Sequence, residues 1–298
     1  MKTVLFYSFK GGVGRTQLLL NMAKYLSETK DKKIAIVDFD LYAPGLSYMA
    51  SFDQEKKGKL YLLDYMISLF KKEKKELYFE NMSKNIVLIP AINTKNISTY
   101  LKSIHEFSQY TYGIKQSAEK RENDQNTLAD QLSEYITRAI SKIDDFDYIF
   151  YDARTGMTEV SDILFSNDID LKIMISSFNK QNMDGMEGML ELLTKQKGKK
   201  HKIIRALSPK PLGNTDNYKA IELKASLATN LDFRDKFEWV STLSIPYEKE
   251  IVHNDFNVWE SLESKKDNQY VNAVKDISDR LVDSLDDDSF EFKTILDG

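Results

Sequence analysis

A glycine-rich segment directly behind the first apolar run of the chain most constrains its fold. Thr3–Tyr7 reads TVLFY, which is typical of a buried strand. Lys10–Gly14 follows as a loop with three glycines, and Thr16–Thr29 shows the apolar spacing of a helix. A second apolar run, Lys33–Val37, completes a strand–helix–strand unit of the kind that joins two parallel strands. The chain therefore begins as a parallel sheet whose first loop opens a helix.

Further short apolar runs alternate with helical segments along the rest of the chain. These runs are Ile86–Ile89, Tyr148–Tyr151, Leu171–Ser176, Lys202–Leu207 and Thr242–Ile245. Most of them are continuous rather than alternating, as expected for strands that are buried on both faces. The pattern predicts a doubly wound α/β fold, with a mostly parallel sheet of seven or eight strands and helices on both faces.

The organisation predicted from the sequence is a single domain spanning residues 1–298. Helical insertions are expected near residues 56–82 and 99–125, and the second of these is polar and mobile around residues 117–124. Residues 279–298 form an acidic C-terminal tail, which includes the run Asp286–Asp288. No internal repeat and no linker separates these parts.

Composition excludes several kinds of site. The chain has no cysteine, so it cannot form disulfides, iron–sulfur clusters or thiolate zinc sites. No signal peptide and no apolar run of about 20 residues is visible, which predicts a cytoplasmic protein without a membrane span. The net charge is −4, so DNA binding would need a local basic patch. The lysine-rich runs at 71–75 and 195–202 leave DNA binding open without favouring it.

The loop Lys10–Thr16 has the composition of a phosphate-binding turn. Glycines allow backbone N–H groups to turn toward an anion, and the following helix N-terminus adds positive potential. The strict P-loop pattern G-x-x-x-x-G-K-[ST] is nevertheless not met, because Phe9 occupies the first glycine position and Arg15 the lysine position. Of the features typical of a phosphate-binding loop, Lys10, three glycines and Thr16 are present.

The sequence of Lys10–Thr16, KGGVGRT, resembles the deviant Walker A motif of the ParA/MinD ATPases. By that resemblance, Lys10 reaches across a nucleotide-sandwich homodimer to the partner's phosphates. Arg15 stands where the family has a phosphate-gripping lysine, and Thr16 matches the residue that binds Mg²⁺. Arginine keeps the charge but is longer and forked, so we expect ATP binding to survive the change better than hydrolysis does.

Two acidic segments resemble the other parts of such a site. Asp38 and Asp40 follow the second strand, as in the family's switch I, and imply a role for Asp38 at the metal and for Asp40 at the attacking water. Asp152 ends the run Tyr148–Tyr151 like a Walker B aspartate, and 153–156 matches switch II. Arg154 is either an extra cation near the phosphates or a surface arginine.

The resemblance thus implies a complete set of functional residues. The catalytic candidates are Lys10 and Asp40. The metal candidates are Thr16, Asp38 and Asp152. The nucleotide-binding candidates are Lys10, Gly11, Gly12, Val13, Gly14, Arg15, Thr16, Gln17, Pro246 and Tyr247.

Three functions are compatible with these residues. The first is an ATP- and Mg²⁺-dependent, slowly hydrolysing dimeric switch that regulates or positions a partner protein. The second is a nucleotide-binding regulator that does not hydrolyse, because Arg15 has weakened catalysis. The third is a scaffold with a vestigial site. MinD-type membrane attachment uses a basic amphipathic C-terminal helix, and the acidic tail has the opposite charge.

Overall fold

The computed structural model describes residues 1–50, 58–118, 128–156, 164–166, 168–194, 200–210, 219–221, 237–250, 259, 263–264 and 267–286. Its elements fall into two compact units. The first contains Met1–Leu5 and Asp31–Ile169, and the second contains Phe6–Lys30 and Asp170–Gly298. The first strand, β1 (Lys2–Ser8), contributes residues to both units.

Parallel strands with continuous apolar sequences form the centre of the first unit. In sheet order they are β1, β7 (Tyr148–Ala153), β2 (Ile34–Phe39) and β6 (Ile86–Ile89), followed by the short β5 (Glu80–Asn81). β2 pairs in parallel with both β7 and β6, whereas β5 pairs antiparallel with β6. Every residue of β2, β6 and β7 is buried, which explains why these runs lack polar alternation.

Among its described residues, this first unit has three α-helices and a short 3-10 helix, Leu46–Met49. The α-helices come next in chain order. They are α2 (Leu62–Phe70), α3 (Ile97–Ala118) and α4 (Leu128–Ile140). α2 packs on α3, where the Phe70 ring stacks on Tyr110 at 5.1 Å between centroids and the Ser103 hydroxyl donates to Asp64 at 2.6 Å. A separate two-stranded sheet pairs β3 (Lys59–Leu60) with β4 (Glu76–Leu77).

The second unit has its own parallel strands. Their sheet order is β10 (Phe237–Pro246), β9 (His201–Lys210), β8 (Leu171–Ser176) and then β1. β9 pairs in parallel with β8 and β10. The helices are α1 (Arg15–Lys30), α5 (Lys180–Thr194) and α6 (Gln269–Asp286).

Helices α1 and α6 are joined by buried polar contacts in addition to apolar packing. The Asn21 amide donates to the Tyr270 hydroxyl at 3.0 Å, and the Tyr25 hydroxyl donates to Asp279 at 3.1 Å. Burial raises the pKa of Tyr270 well above its ordinary value, so this hydroxyl keeps its proton at neutral pH. The pairing fixes the first helix, and with it the end of the glycine-rich loop, within the second unit.

The structure confirms the predicted fold class and adds local detail to the predicted insertions and tail. Among the described residues, the sheet has eight strands and is mostly parallel. In the segment 56–82, the described residues hold one helix and three two-residue strands, because short edge strands leave no periodic signal. The segment 99–125 is helical as far as Ala118, and the rest of it lies outside the described residues. The acidic tail begins as the last turns of α6 rather than as a separate extension. The single-domain organisation stays a prediction.

Candidate functional site

The segment Lys10–Thr16 forms the turn between β1 and α1. Gly12 and Gly14 have φ angles of 77° and 75°, in the left-handed region that residues with a Cβ rarely enter. Among the described residues, no heavy atom would lie within 4 Å of a Cβ added at Gly11 or Gly12. The loop therefore has the backbone that an inward-turned anion cradle needs, with open space beside it.

The amino end of α1 adds positive potential to this turn. The helix begins at Arg15, and the Leu18 N–H of its first turn donates to the Gly14 carbonyl at 2.9 Å. The N–H groups of a first helical turn lack intrahelical partners and favour anions. No acidic residue lies in this first turn to neutralise the effect. Thr16 and Gln17 are half-buried in this turn.

Arg15, which departs from the family's lysine, lies partly against the core of the second unit. Its Nη1 atom is buried. Burial raises the pKa of Tyr7 well above its ordinary value, and the positive charge of Arg15 partly opposes that rise. The guanidinium is therefore close enough to this buried β1 tyrosine to act on it electrostatically.

In the first unit, Asp38 and Asp152 lie side by side on neighbouring strands. They are paired in the register of β2 and β7, and their side chains are 0% and 2% exposed. Burial raises the pKa of Asp38 to about 8, and the charge of Asp152 contributes to the rise. Two buried carboxyl groups of like charge are costly together, and a divalent cation would relieve that cost. This donor set therefore fits the second coordination sphere of Mg²⁺.

Ser47 holds the Asp38 carboxylate in place, a role that no sequence pattern indicated. Its N–H and its hydroxyl both donate to Asp38 Oδ2 at 2.7 Å. The same hydroxyl oxygen accepts from the Ala91 N–H at 2.8 Å. Because these donors stabilise the charged carboxylate, they lower the pKa of Asp38 against the effect of burial. Ser47 is thus an orienting residue for a predicted metal residue.

Hydrogen bonds and a cation–π contact hold the loop that follows Asp38. Asp40 accepts from the Ala43 N–H at 3.1 Å, which makes a local turn. The Tyr100 hydroxyl of α3 donates to the Leu41 carbonyl at 2.8 Å. The guanidinium of Arg154 lies 4.5 Å from the centre of the Tyr42 ring. Arg154 is therefore placed against the loop of Asp40, and α3 contacts the same loop.

Pro246 and Tyr247, the predicted base-contacting residues, lie at the end of β10. Both are half-buried, and the Tyr247 N–H donates to the Lys210 carbonyl at the end of β9, at 3.1 Å. β9 also approaches the glycine loop, since a Cβ added at Gly14 would be 3.7 Å from Ser208 Oγ. Within the second unit, the ends of β9 and β10 are thus close to each other, and β9 is close to the loop. A contact with a base stays a prediction.

The described residues also bear on a clustered metal site and on a membrane-spanning helix. No cluster of three or more His, Cys, Asp or Glu residues there has the arrangement of a metal site. Since Mg²⁺ takes few protein ligands and keeps several waters, a site of that kind would not form such a cluster. In the same part of the chain, no helix combines the length and apolar content needed to cross a bilayer.

Comparison with known proteins agrees with this arrangement. A family model described as an AAA domain, AAA_31, matches residues 1–205. The virulence plasmid ParA family protein pGP5-D of Chlamydia psittaci is 50% identical over 40 residues, which cover 13% of this chain and 15% of that protein. The chain spans less than half the length of the curated relatives it matches.

Solved structures share the fold at low sequence identity. Apo McdA of Cyanothece is 16% identical, with a TM-score of 0.63 over 93% of this chain and 98% of its own. An ATP complex of a McdA variant is 15% identical, with a TM-score of 0.61 over 94% and 96%. MinD of Aquifex aeolicus is 18% identical, with a TM-score of 0.54 over 99% and 100%. The family predicted from KGGVGRT is confirmed: the chain belongs to the AAA_31 family of AAA domains, and its fold is that of the ParA/MinD-type P-loop ATPases.

Proposed function

We propose that this protein is an ATP-binding, Mg²⁺-dependent molecular switch that dimerises and acts on a partner protein. The observation that carries the proposal is the turn at Lys10–Thr16, where Gly12 and Gly14 take left-handed angles directly before α1. Such a turn suits the phosphates of a nucleotide better than any other abundant ligand. The family relation and the ATP complex of McdA support ATP as the nucleotide.

In this proposal, the contacts with the phosphates, the base, the metal ion and the attacking water are each assigned to particular residues. The backbone of residues 11–14 holds the phosphates, together with Arg15 and Gln17, and Pro246 and Tyr247 contact the base. Thr16, Asp38 and Asp152 hold Mg²⁺, directly or through its water, and the ion supplies charge neutralisation at the phosphates. Asp40 orients the attacking water, and Lys10 reaches the phosphates of the second copy in a homodimer.

Slow turnover follows from the same set of residues. Phosphoryl transfer to water depends mostly on positioning and on neutralising charge, so a few groups suffice. Arg15 keeps the positive charge of the family's lysine, but its longer, forked side chain, which acts electrostatically on Tyr7, does not reproduce a lysine ammonium. We therefore propose a switch whose ATP-bound state is long-lived and is read by another protein in the cytoplasm.

The test combines binding, hydrolysis and oligomeric state. Mg–ATP at millimolar concentration is expected to raise the melting temperature of the purified chain, because a ligand that binds only the folded state stabilises it. Phosphate release should be measurable and should fall to background in Asp40→Ala, while binding persists. Light scattering with ATP should show a dimer for Asp40→Ala and a weaker dimer for Lys10→Ala. An unchanged melting temperature with Mg–ATP would contradict the proposal and favour a scaffold with a vestigial site.

A second function is favoured by the placement of Arg15. If its guanidinium stays near Tyr7, the protein binds ATP without hydrolysing it and acts as a regulator. The discriminating variant is Arg15→Lys, which restores the family's residue type. Background phosphate release by the native chain, equal to that of Asp40→Ala and raised in Arg15→Lys, would support the regulator over the slow ATPase.

A further inference from the structure

Phe9, which stands where the strict P-loop pattern has its first glycine, rests against the backbone of helix α5. A Cβ built on Gly185 would lie 2.1 Å from Cδ1, 2.3 Å from Cε1 and 2.5 Å from Cγ of the Phe9 ring. Contact between carbon atoms is ordinarily about 3.5–4.0 Å. The ring therefore occupies the space in which any other residue at position 185 would place its side chain.

Helix α5 is held on the sheet on both sides of Gly185, so it cannot easily retreat from the ring. On one side, the Ser176 hydroxyl and the Arg205 guanidinium both donate to Met183 Sδ at 3.7 Å. On the other side, Glu187 pairs with the buried Arg205 at 3.7 Å. Met186, beside Gly185, is fully buried. A side chain at position 185 would therefore displace Phe9 rather than the helix.

Displacement of Phe9 would be transmitted directly to the phosphate loop. Phe9 lies between Ser8, the fully buried last residue of β1, and Lys10, the first residue of the glycine-rich turn. Because β1 fixes the chain on one side, any movement that rotation of the Phe9 side chain does not absorb passes into the loop. Functional sites depend on placement within about 1 Å, a displacement that can cost about a hundredfold in rate in an enzyme.

We propose that the Phe9–Gly185 contact sets the position of the phosphate loop, which makes these two residues positioning residues for nucleotide binding. The inference rests on the proposed function, since it concerns the same loop. The contact also accounts for the presence of Phe9 at the first glycine position of the P-loop pattern. The absence of a side chain at Gly185 on α5 leaves the space that the Phe9 ring occupies. The same contact makes α5 the element whose movement would alter nucleotide affinity.

The chain offers a matched control for this proposal in Gly188, on the same helix. Among the described residues, no heavy atom lies within 4 Å of a Cβ added there. Gly185→Ala and Gly188→Ala change the helix propensity of α5 equally, and each would favour the helix by about 1 kcal/mol. Only Gly185→Ala introduces the collision with Phe9.

The experiment measures the Kd of a fluorescent ATP analogue with Mg²⁺ for the full chain and its variants. We expect Gly185→Ala to weaken binding about tenfold and Gly188→Ala to change it less than twofold. Removal of the ring should restore space, so Phe9→Ala combined with Gly185→Ala is expected to bind more tightly than Gly185→Ala alone. Equal affinities for the two alanine variants, or no recovery in the double variant, would overturn the proposal.

Two additional measurements separate failure of this inference from other failures. Should Gly185→Ala not fold, Phe9→Leu keeps Gly185 and reduces the contact, and unchanged affinity in that variant would refute the proposal. Should the native chain bind no nucleotide, the proposed function fails, but the contact is still testable by hydrogen exchange. Faster exchange at the amides of residues 10–16 in Gly185→Ala, with no change in Gly188→Ala, would support the positioning role, and equal rates would reject it.

Discussion

The guanidinium of Arg154, beyond the end of β7, lies over the ring of Tyr42 in the loop after β2, with 4.5 Å between Cζ and the ring centre. The contact joins the two segments that resemble switch II and switch I. A cation over an aromatic face stabilises by about 0.5–2 kcal/mol, depending on its exposure. Arg154 thus has a described structural partner in the first unit, whatever it does at a phosphate.

Arg154→Ala is expected to loosen the loop of residues 40–45. Loss of the stacked cation leaves that loop held by the Tyr100 contact, by the hydrogen bond between the Tyr42 and Ser108 hydroxyls at 3.4 Å and by its own turn, so it should open more often. Hydrogen exchange at the amides of residues 41–45 measures the effect, with a predicted increase of about threefold or more. Arg138→Ala serves as the control, because it removes an exposed arginine that pairs with Glu134 on its own helix. Unchanged exchange in Arg154→Ala would show that the stacking does not restrain the loop.

Asp38→Asn is expected to stabilise the nucleotide-free protein at neutral pH. Burial raises the pKa of Asp38 to about 8, so the folded state disfavours its charged form. An asparagine is neutral in both states, so folding no longer requires this group to take up a proton, and it still offers an oxygen to the two donors of Ser47. We expect the gain to be on the order of a few kcal/mol at most, seen as a rise of several degrees in Tm. Asp145→Asn, which alters an exposed carboxylate, is the control and should change Tm little.

The same change should remove a component of the pH dependence of stability. Between about pH 4, the ordinary Asp value, and about pH 8, the folded state retains the Asp38 proton that the unfolded state has released. The folded state then binds more protons, so this group makes stability fall as pH rises through that window. The stability difference between Asp38→Asn and the native chain should therefore grow from pH 5 to pH 8. A constant difference, measured by urea unfolding, would contradict this account.

Ser47→Ala is expected to destabilise the fold by about 1–3 kcal/mol. The change leaves the Ala91 N–H without its acceptor and removes one donor to Asp38, and both groups are buried. The midpoint of urea unfolding measures the loss. Ser98→Ala, which removes an exposed serine hydroxyl, should stay within about 0.5 kcal/mol of the native chain.

Gly12→Ala and Gly11→Ala are expected to differ although the two glycines are neighbours. Both have open space where a Cβ would lie, but only Gly12 has a left-handed φ, at 77°. Alanine at position 12 is strained by about 1–2 kcal/mol, and the loop can relieve the strain only by changing its turn. Nucleotide affinity should therefore fall in Gly12→Ala and remain close to native in Gly11→Ala. Equal affinities would mean that the cradle does not depend on this backbone conformation.

Strand positions were predictable from the sequence wherever a strand is buried on both faces. Ile86–Ile89 and Leu171–Ser176 have the predicted bounds. β10 is six residues longer than the predicted Thr242–Ile245, because it begins with polar residues and contains register shifts that interrupt the apolar run. The strands β3, β4 and β5 have two residues each, too few for any periodicity.

The residues of the candidate site also differ in whether the sequence alone could predict them. The glycine turn and the acidic strand ends could be predicted, because local sequence determines a turn and the end of a strand. Ser47 and Tyr100 could not, since they act on residues 9 and 59 positions away along the chain. The Phe9–Gly185 contact joins residues still farther apart, and neither residue type indicates it. Long-range contacts of this kind follow from the topology rather than from any single segment.

The short strand β5 has a consequence for how this protein behaves at high concentration. An open sheet ends in a row of unpaired backbone groups, to which a strand of another molecule can add. Among the described strands, β6 is followed at the sheet edge by the two residues of β5, Glu80 and Asn81, which run antiparallel and carry polar side chains. A strand this short and polar gives an incoming chain little to pair with. This edge of the described sheet is therefore a poor template for the addition of a strand from another molecule.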